Sequence, residues 1–160
     1  MPTVENEVII IAPVEKVFGY LSHPSNLQKI WPSLVDITNE TILANGGYSY
    51  QWTYKMSGIK LTGRGECVDI KQNSLLSSKN TGAINSTVSF RFQCMGIHTR
   101  VILTIDYEIP LPLLGHFAEN IVLKMNEKEA ELILDNLRII FEESQPLSSI
   151  LNTNSIIKVR

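Results

Sequence analysis

The sequence predicts an α+β domain in which one long helix covers a curved antiparallel sheet. A strand and two short helices open the chain, strand-like segments fill residues 33 to 109, and a helical segment without proline or glycine runs from His116 to Glu142. A curved sheet needs cover on one face, and a helix of that length can supply it. We place one domain at residues 1–143 and treat residues 144–160, around Gln145-Pro146, as a C-terminal tail.

The first three elements are bounded by prolines. Val4–Ile11 is rich in β-branched residues, which favour a strand. Pro13 suits the first turn of a helix, and apolar residues follow it at helical spacing as far as Leu21. A second short helix begins at Pro24 and ends before Trp31-Pro32.

The segment Tyr48–Ser57 has the clearest strand pattern, because bulky apolar or aromatic residues alternate with polar ones along it. Gly63 and Gly65 in the following strand predict a bend or β-bulge that curves the sheet. Short turns between consecutive strands predict an antiparallel meander. After the first strand we predict six more, at residues 35–38, 48–57, 59–70, 75–81, 84–94 and 99–109.

The segment from His116 to Glu142 predicts one continuous helix, roughly 40 Å long at about 1.5 Å per residue. One broad arc of this helix is apolar: Leu114, Phe117, Ala118, Ile121, Val122, Met125, Leu132, Ile133, Leu137 and Ile140. Four polar residues fall within the arc: Glu119, Asn126, Glu129 and Asn136. Glu119 is best explained as a first-turn carboxylate that complements the helix dipole, and Asn126 is as well explained by an edge position that reaches solvent.

Glu129 is harder to explain, because an unpaired carboxylate on a buried face costs several kcal/mol. It either lines a wet cavity or pairs with a base from the sheet. The candidate bases are Arg64, Arg91 and Arg100. A role as a catalytic acid or base is a third alternative.

Several segments resemble the START-like superfamily, also grouped as SRPBCC, which includes polyketide cyclase and dehydrase-like proteins. They are Ile11–Phe18, Leu21–Leu27, Trp31-Pro32, Tyr54–Gly58, Tyr107–Pro112 and Lys124–Glu131. The resemblance implies a helix-grip fold, in which a curved sheet wraps around a C-terminal helix with a ligand tunnel between them. It supplies no shared catalytic motif, so function has to be inferred from the cavity.

The predicted ligand-binding residues come from one strand face, the second short helix and the long helix. Three tyrosines and a tryptophan on one strand face suit a cavity wall better than a sealed core, since each hydroxyl and indole N–H needs a partner. Ordinary core packing is the alternative. The residues are Tyr48, Tyr50, Trp52, Tyr54 and Met56, then Trp31 at the tunnel mouth, and Ile121, Met125, Glu129 and Asn136 on the helix.

Composition and charge exclude several classes of function. A net charge of -2 gives no broad basic field for nucleic acid. Cys67 and Cys94 have no metal-ligand or disulfide spacing, and we expect no cofactor and no metal. The N-terminus lacks a signal-peptide pattern and no apolar run approaches the roughly 20 residues of a membrane span. We therefore expect a cytoplasmic protein without stable membrane insertion, and a homodimer is possible.

Three functions remain. The first is a binding or carrier protein that holds a lipid-like, quinone-like or polyketide-like molecule in an internal cavity. The second is a polyketide cyclase or dehydratase-like enzyme that uses a single Glu or Tyr for proton transfer. The third is a protein-interaction module. The absence of a nucleophile, metal or phosphate motif in the sequence favours the first.

Overall fold

A computed structural model describes residues 3–56, 58–108 and 119–143; the side chains of residues 119–125 lie outside the described part. The helices and strands of this part are β1 (Thr3–Ile10), α1 (Val14–Leu21), α2 (Pro24–Ile30), β2 (Leu34–Ile42), β3 (Tyr48–Met56), β4 (Ile59–Lys71), β5 (Leu75–Gly82), β6 (Ser86–Met95), β7 (His98–Tyr107) and α3 (Glu119–Glu143). The predicted start of the last helix at residues 116–118 and the predicted tail at 144–160 fall outside the described residues.

The strands form one seven-stranded antiparallel sheet in the order β1-β7-β6-β5-β4-β3-β2. Strands β2 to β7 therefore follow one another as a meander, and β1 pairs with β7 at the far edge. The predicted α+β class, the meander and the two short helices after β1 are confirmed. The first short helix also buries the face that its spacing predicts, at Val14, Val17, Phe18 and Leu21.

Of the two predicted alternatives at Gly63 and Gly65, the bulge is wrong, and the bend stays a prediction. Both glycines pair with β3 in unbroken register, Gly63 with Trp52 and Gly65 with Tyr50. The register shift in β4 lies further along, between Cys67 and Asp69 in the pairing with β5. The two glycines are present for a steric reason, because the rings of Trp52 and Tyr50 lie directly over them.

Helix α3 packs mainly against β1 and also contacts α2. Ile133 and Leu137 of the predicted arc are buried, which confirms this part of it, and Ala130 and Leu134, which lay outside the predicted arc, are buried as well. Leu132, which we also placed in the arc, is 38% exposed, so that assignment is wrong. Leu134, two residues further along the helix, is buried instead, at 2% exposure. No helix within the described ranges is long and apolar enough to cross a membrane.

Candidate functional site

An internal cavity of about 130 Å³ lies between the sheet, the two short helices and α3. One water needs roughly 10–15 Å³ on the same measure. The cavity therefore has room for an organic molecule as well as for isolated waters. Its lining is mostly apolar, with contributions from β2 to β7, α1, α2 and Asn126 of α3.

The interior face of β3 forms the aromatic wall of this cavity. All five predicted residues of the face line it: Tyr48, Tyr50, Trp52, Tyr54 and Met56. Tyr50, Trp52 and Met56 are buried, whereas Gln51 and Lys55 on the opposite face are exposed. The sequence left open which face is concave, and the structure places the aromatic face inside.

The rings of Trp52 and Tyr50 lie directly against two glycines of β4, Gly63 and Gly65. A Cβ atom at Gly63 would overlap Trp52 Cζ2 and the Thr81 carbonyl oxygen, and it would lie 2.7 Å from Trp52 Cε2. A Cβ at Gly65 would lie 2.7 Å from the Tyr50 hydroxyl. Directly opposed residues of antiparallel strands share one face, so only glycine lets these two rings lie across the neighbouring strand.

Trp31 lines the cavity beside Tyr54, as predicted for a residue at the end of the second helix. The two rings meet edge to face, with centroids 6.5 Å apart and an interplanar angle of 80°. The indole Nε1 of Trp31 also lies 3.5 Å from the Tyr54 hydroxyl, at the outer limit of a hydrogen bond. Trp31 and Tyr54 thus join α2 to the aromatic wall.

Glu129 lies immediately behind this part of the wall. Its Oε2 accepts hydrogen bonds from the Tyr54 hydroxyl at 2.9 Å and from Ser33 Oγ at 2.6 Å. Its Oε1 accepts one from the backbone N–H of Ser33 at 3.0 Å. Glu129 is 9% exposed, and its carboxylate connects α3 to the segment after α2 and to β3.

The alternative that a sheet arginine pairs with Glu129 is wrong. The donors are the uncharged groups of Ser33 and Tyr54. Arg100 instead forms a salt bridge with Glu7 on the outer face, and Arg64 and Arg91 are exposed. These arginines alternate with residues of the concave face, so their side chains project away from α3.

Burial is the main reason why the pKa of Tyr54 lies well above its ordinary value, and the negative charge of Glu129 raises it further. Burial also raises the pKa of Tyr50 to about 12, with a partial offset from a hydrogen bond to Ser78. Both phenols are therefore uncharged hydrogen-bonding groups near neutral pH.

Asn136 does not line the cavity. Its Nδ2 donates to the backbone carbonyl of Ile30, the last residue of α2, at 3.0 Å. A helix leaves its last carbonyls without intrahelical donors, so Asn136 satisfies one of them and joins α2 to α3. The backbones of Ile121 and Met125 belong to α3, but their side chains fall outside the described part.

Sequence reasoning missed four polar strand residues that line the cavity: Ser78, Asn80, Ser86 and Tyr107. Asn126, for which an edge position in solvent was an equal alternative, lines it as well. Asn80 is a polar residue at 9% exposure in the middle of the sheet, and Tyr107 is 3% exposed. The alternation along β5 to β7 could have placed each of these strand residues on a face. It could not show that they are neighbours, because that depends on the register between strands.

We expect alkaline pH to destabilise the protein through its buried phenols. Because the pKa of Tyr50 rises from 10.0 to about 12 on folding, the folded chain keeps a proton that the unfolded chain loses between these values. The contribution is therefore constant below about pH 10 and is lost as pH rises toward 12. At about 1.4 kcal/mol per pKa unit, Tyr50 accounts for a loss of about 2 to 3 kcal/mol.

Urea unfolding between pH 8 and pH 11.5 measures this loss. Tyr50→Phe should reduce the slope above pH 10 without abolishing it, because the pKa values of Tyr20, Tyr54 and Tyr107 are raised as well. An unfolding free energy that stays flat up to pH 11.5 in the wild-type protein would contradict the expectation.

Comparison with known proteins agrees with this architecture. The family model described as "Polyketide cyclase / dehydrase and lipid transport" matches residues 1–142. No protein in a curated collection matches the sequence.

Solved structures with the same fold cover nearly the whole chain. A protein from Thermus thermophilus is 23% identical, with a TM-score of 0.71 over 91% of this chain and 100% of its own. The ZhuI aromatase/cyclase from Streptomyces sp. R1128 is 15% identical, with a TM-score of 0.76 over 92% of this chain and 97% of its own. A START superfamily protein from Mycobacterium smegmatis is 16% identical, with a TM-score of 0.75 over 89% and 99%. At these identities the similarity shows the fold.

Proposed function

Because this chain belongs to the polyketide cyclase/dehydrase and lipid transport family, we propose that it binds a hydrophobic small molecule in its internal cavity. The observation that carries the proposal is the aromatic wall, where five successive interior residues of β3, from Tyr48 to Met56, all line one cavity. Ligand sites are typically apolar and aromatic, with a few polar groups that orient the ligand.

The cost of keeping this cavity open supports a binding role. Core side chains normally fill the interior at crystal-like density, and voids larger than a water are few. At Gly63 and Gly65 of β4, the space that a side chain would take up is occupied by the rings of Trp52 and Tyr50. The rings of Trp52 and Tyr50 therefore lie against the backbone of β4 and leave a cavity of about 130 Å³ in front of them.

Binding of the neutral fluorophore N-phenyl-1-naphthylamine, which emits strongly in apolar surroundings, tests the proposal. Val88→Phe should weaken probe binding by about tenfold or more, because Val88 lines the cavity and the larger ring would occupy it. Val68→Phe is the matched control, since Val68 lies on β4 at 52% exposure and does not line the cavity.

The same protein should be extracted under denaturing conditions and its extract analysed by mass spectrometry for a retained apolar molecule. Equal probe binding by the Val88→Phe and Val68→Phe proteins would place the probe outside the cavity. No probe emission from the wild-type protein, together with an empty extract, would count against a binding role and favour the protein-interaction alternative.

An enzymatic role is the second candidate, and the contact between Glu129 and Tyr54 favours it. A carboxylate bonded to a phenol of the cavity wall could accept a proton from a substrate through that phenol. The aromatase/cyclase from Streptomyces sp. R1128 shares the fold. Conversion of a polyketide-like substrate, lost in Tyr54→Phe while binding is retained, would support this candidate. Binding without conversion would support the carrier.

A further inference from the structure

We propose that Asn80, Ser86 and Tyr107, together with Asn126, bind an oxygen of an uncharged carbonyl- or hydroxyl-bearing ligand. This inference rests on the proposed function and adds the chemical class of the ligand and the place where its polar end lies. We call these four residues the polar cluster.

The strand register brings the polar cluster together. Asn80 of β5 lies opposite Ser86 of β6, and Ser86 lies opposite Tyr107 of β7. Opposed residues share a face, so the three side chains form one row across the concave side. Asn80 Nδ2 lies 3.3 Å from Ser86 Oγ. Asn126 enters from α3, close enough to Tyr107 to influence its pKa.

The Tyr107 hydroxyl is the strongest sign that this row serves a ligand. It is shielded from solvent and, like the Tyr20 hydroxyl and the Trp52 indole N–H, has no hydrogen bond of normal geometry among the described residues. Of these three groups it is the one with a side-chain amide beside it, since Asn126 is close enough to lower its pKa. A buried hydroxyl without a partner is costly, which is why such groups are rare in folded proteins. A ligand oxygen at this end of the cavity would supply the partner. Asn80, which is 9% exposed, lines the same cavity as Tyr107 and carries a side-chain amide.

The charges around the cavity favour an uncharged ligand. The cavity lining, as far as the structure describes it, consists of apolar, hydroxyl, amide, indole and thiol groups. Burial raises the pKa values of Tyr50 and Tyr107, so these phenols are neutral near pH 7. Glu129 sits one hydrogen bond behind Tyr54 and would repel an anionic head group. Burying an ion here would cost more than burying a ketone or phenol.

Two probes of similar shape separate the oxygen from the rest of the ligand. In competition with N-phenyl-1-naphthylamine, 2-acetylnaphthalene should bind more tightly than 2-ethylnaphthalene to the wild-type protein. Tyr107→Phe should weaken 2-acetylnaphthalene by about tenfold, the value of one well-placed hydrogen bond in a buried site, and leave 2-ethylnaphthalene unchanged. Tyr20→Phe is the matched control, because it removes another buried hydroxyl without a hydrogen bond from a residue that does not line the cavity, and it should change neither affinity.

Stability provides an independent readout. Since the Tyr107 hydroxyl makes no hydrogen bond of normal geometry in the free protein, with Asn126 nearby, Tyr107→Phe should change the unfolding midpoint little or raise it. Ser86→Ala is a second variant of the cluster and should also weaken the ketone selectively. As a test of charge, 2-naphthoate at pH 7.5 should bind at least about tenfold more weakly than 2-acetylnaphthalene.

Several results would overturn the inference while leaving the proposed function standing. They are equal weakening of both neutral probes by Tyr107→Phe, unchanged ketone affinity in both cluster variants, and naphthoate that binds as tightly as the ketone. If the wild-type protein binds none of the probes, including N-phenyl-1-naphthylamine, the proposed cavity function fails and this inference fails with it.

Discussion

Gly63→Ala should lower the free energy of unfolding by about 3 kcal/mol or more, whereas Gly19→Ala should raise it by up to about 1 kcal/mol. The new Cβ at position 63 would overlap both the Trp52 ring and the Thr81 carbonyl oxygen. The ring could move only into the cavity, and the carbonyl belongs to the adjacent strand. At Gly19, an exposed position in α1, nothing lies within 4 Å of an added Cβ.

Urea unfolding of both variants measures the difference, and the two changes are chemically identical. Trp52 should also report the Gly63 effect directly, through an emission shift in any folded fraction of the Gly63→Ala protein. If Gly63→Ala were neutral or stabilising, the Trp52 ring could not lie as close to residue 63 as it does in the structure.

The misreading of Gly63 and Gly65 shows what one sequence can and cannot predict about a sheet. Alternation along β3 fixed which residues share a face, because the period of two is a local property of the strand. The role of a glycine in β4 depends on what lies opposite it on β3. That is a matter of register, which a single strand does not contain. Glycine within a strand is compatible with both a bulge and a close approach of a large side chain.

One part of the candidate site could also be predicted from the sequence, and another part could not. The aromatic wall could be predicted because its residues alternate along a single strand and share one face. The partners of Glu129 could not, because Ser33 and Tyr54 are 96 and 75 residues away in the chain. Periodicity placed Glu129 on the buried face correctly, but the three alternatives for its role did not include hydroxyl and backbone N–H donors, which also satisfy a carboxylate.

For Asn136, the sequence predicted a role in the cavity that its contacts do not support. It lies seven residues after Glu129, so both residues were expected to serve the cavity. The two side chains nevertheless have different environments, because α3 passes from the aromatic wall to the end of α2 within two turns. A shared helix face therefore predicted burial for both residues without predicting a shared function.

Glu129→Ala should destabilise the protein by about 3 to 4 kcal/mol, because it leaves three donors without their acceptor. These are the Ser33 N–H, the Ser33 hydroxyl and the Tyr54 hydroxyl. Glu129→Gln should cost about half as much, since one side-chain oxygen remains for the Ser33 N–H and the two hydroxyls can turn to meet the amide. Glu131→Ala is the control, because Glu131 is exposed on the same helix and makes a 3.6 Å surface contact to Lys128.

Chemical unfolding, followed by probe binding at temperatures where each variant is folded, separates stability from ligand contact. Glu129 does not line the cavity, so the Glu129→Gln protein should bind N-phenyl-1-naphthylamine with an affinity within about threefold of the wild-type value. This change is far smaller than the roughly tenfold loss expected when a direct contact is removed.

The hydrogen bonds from Ser33 and Tyr54 to Glu129 join α3 to the segment that carries Trp31. Probe dissociation should therefore be faster in the Glu129→Ala protein, because the part of the cavity wall that contains Trp31 is held less firmly. Unfolding free energies that match those of Glu131→Ala would show that the three bonds contribute no net stability. A large loss of affinity in a fully folded Glu129→Gln protein would instead make the carboxylate part of the ligand site, as the sequence first suggested.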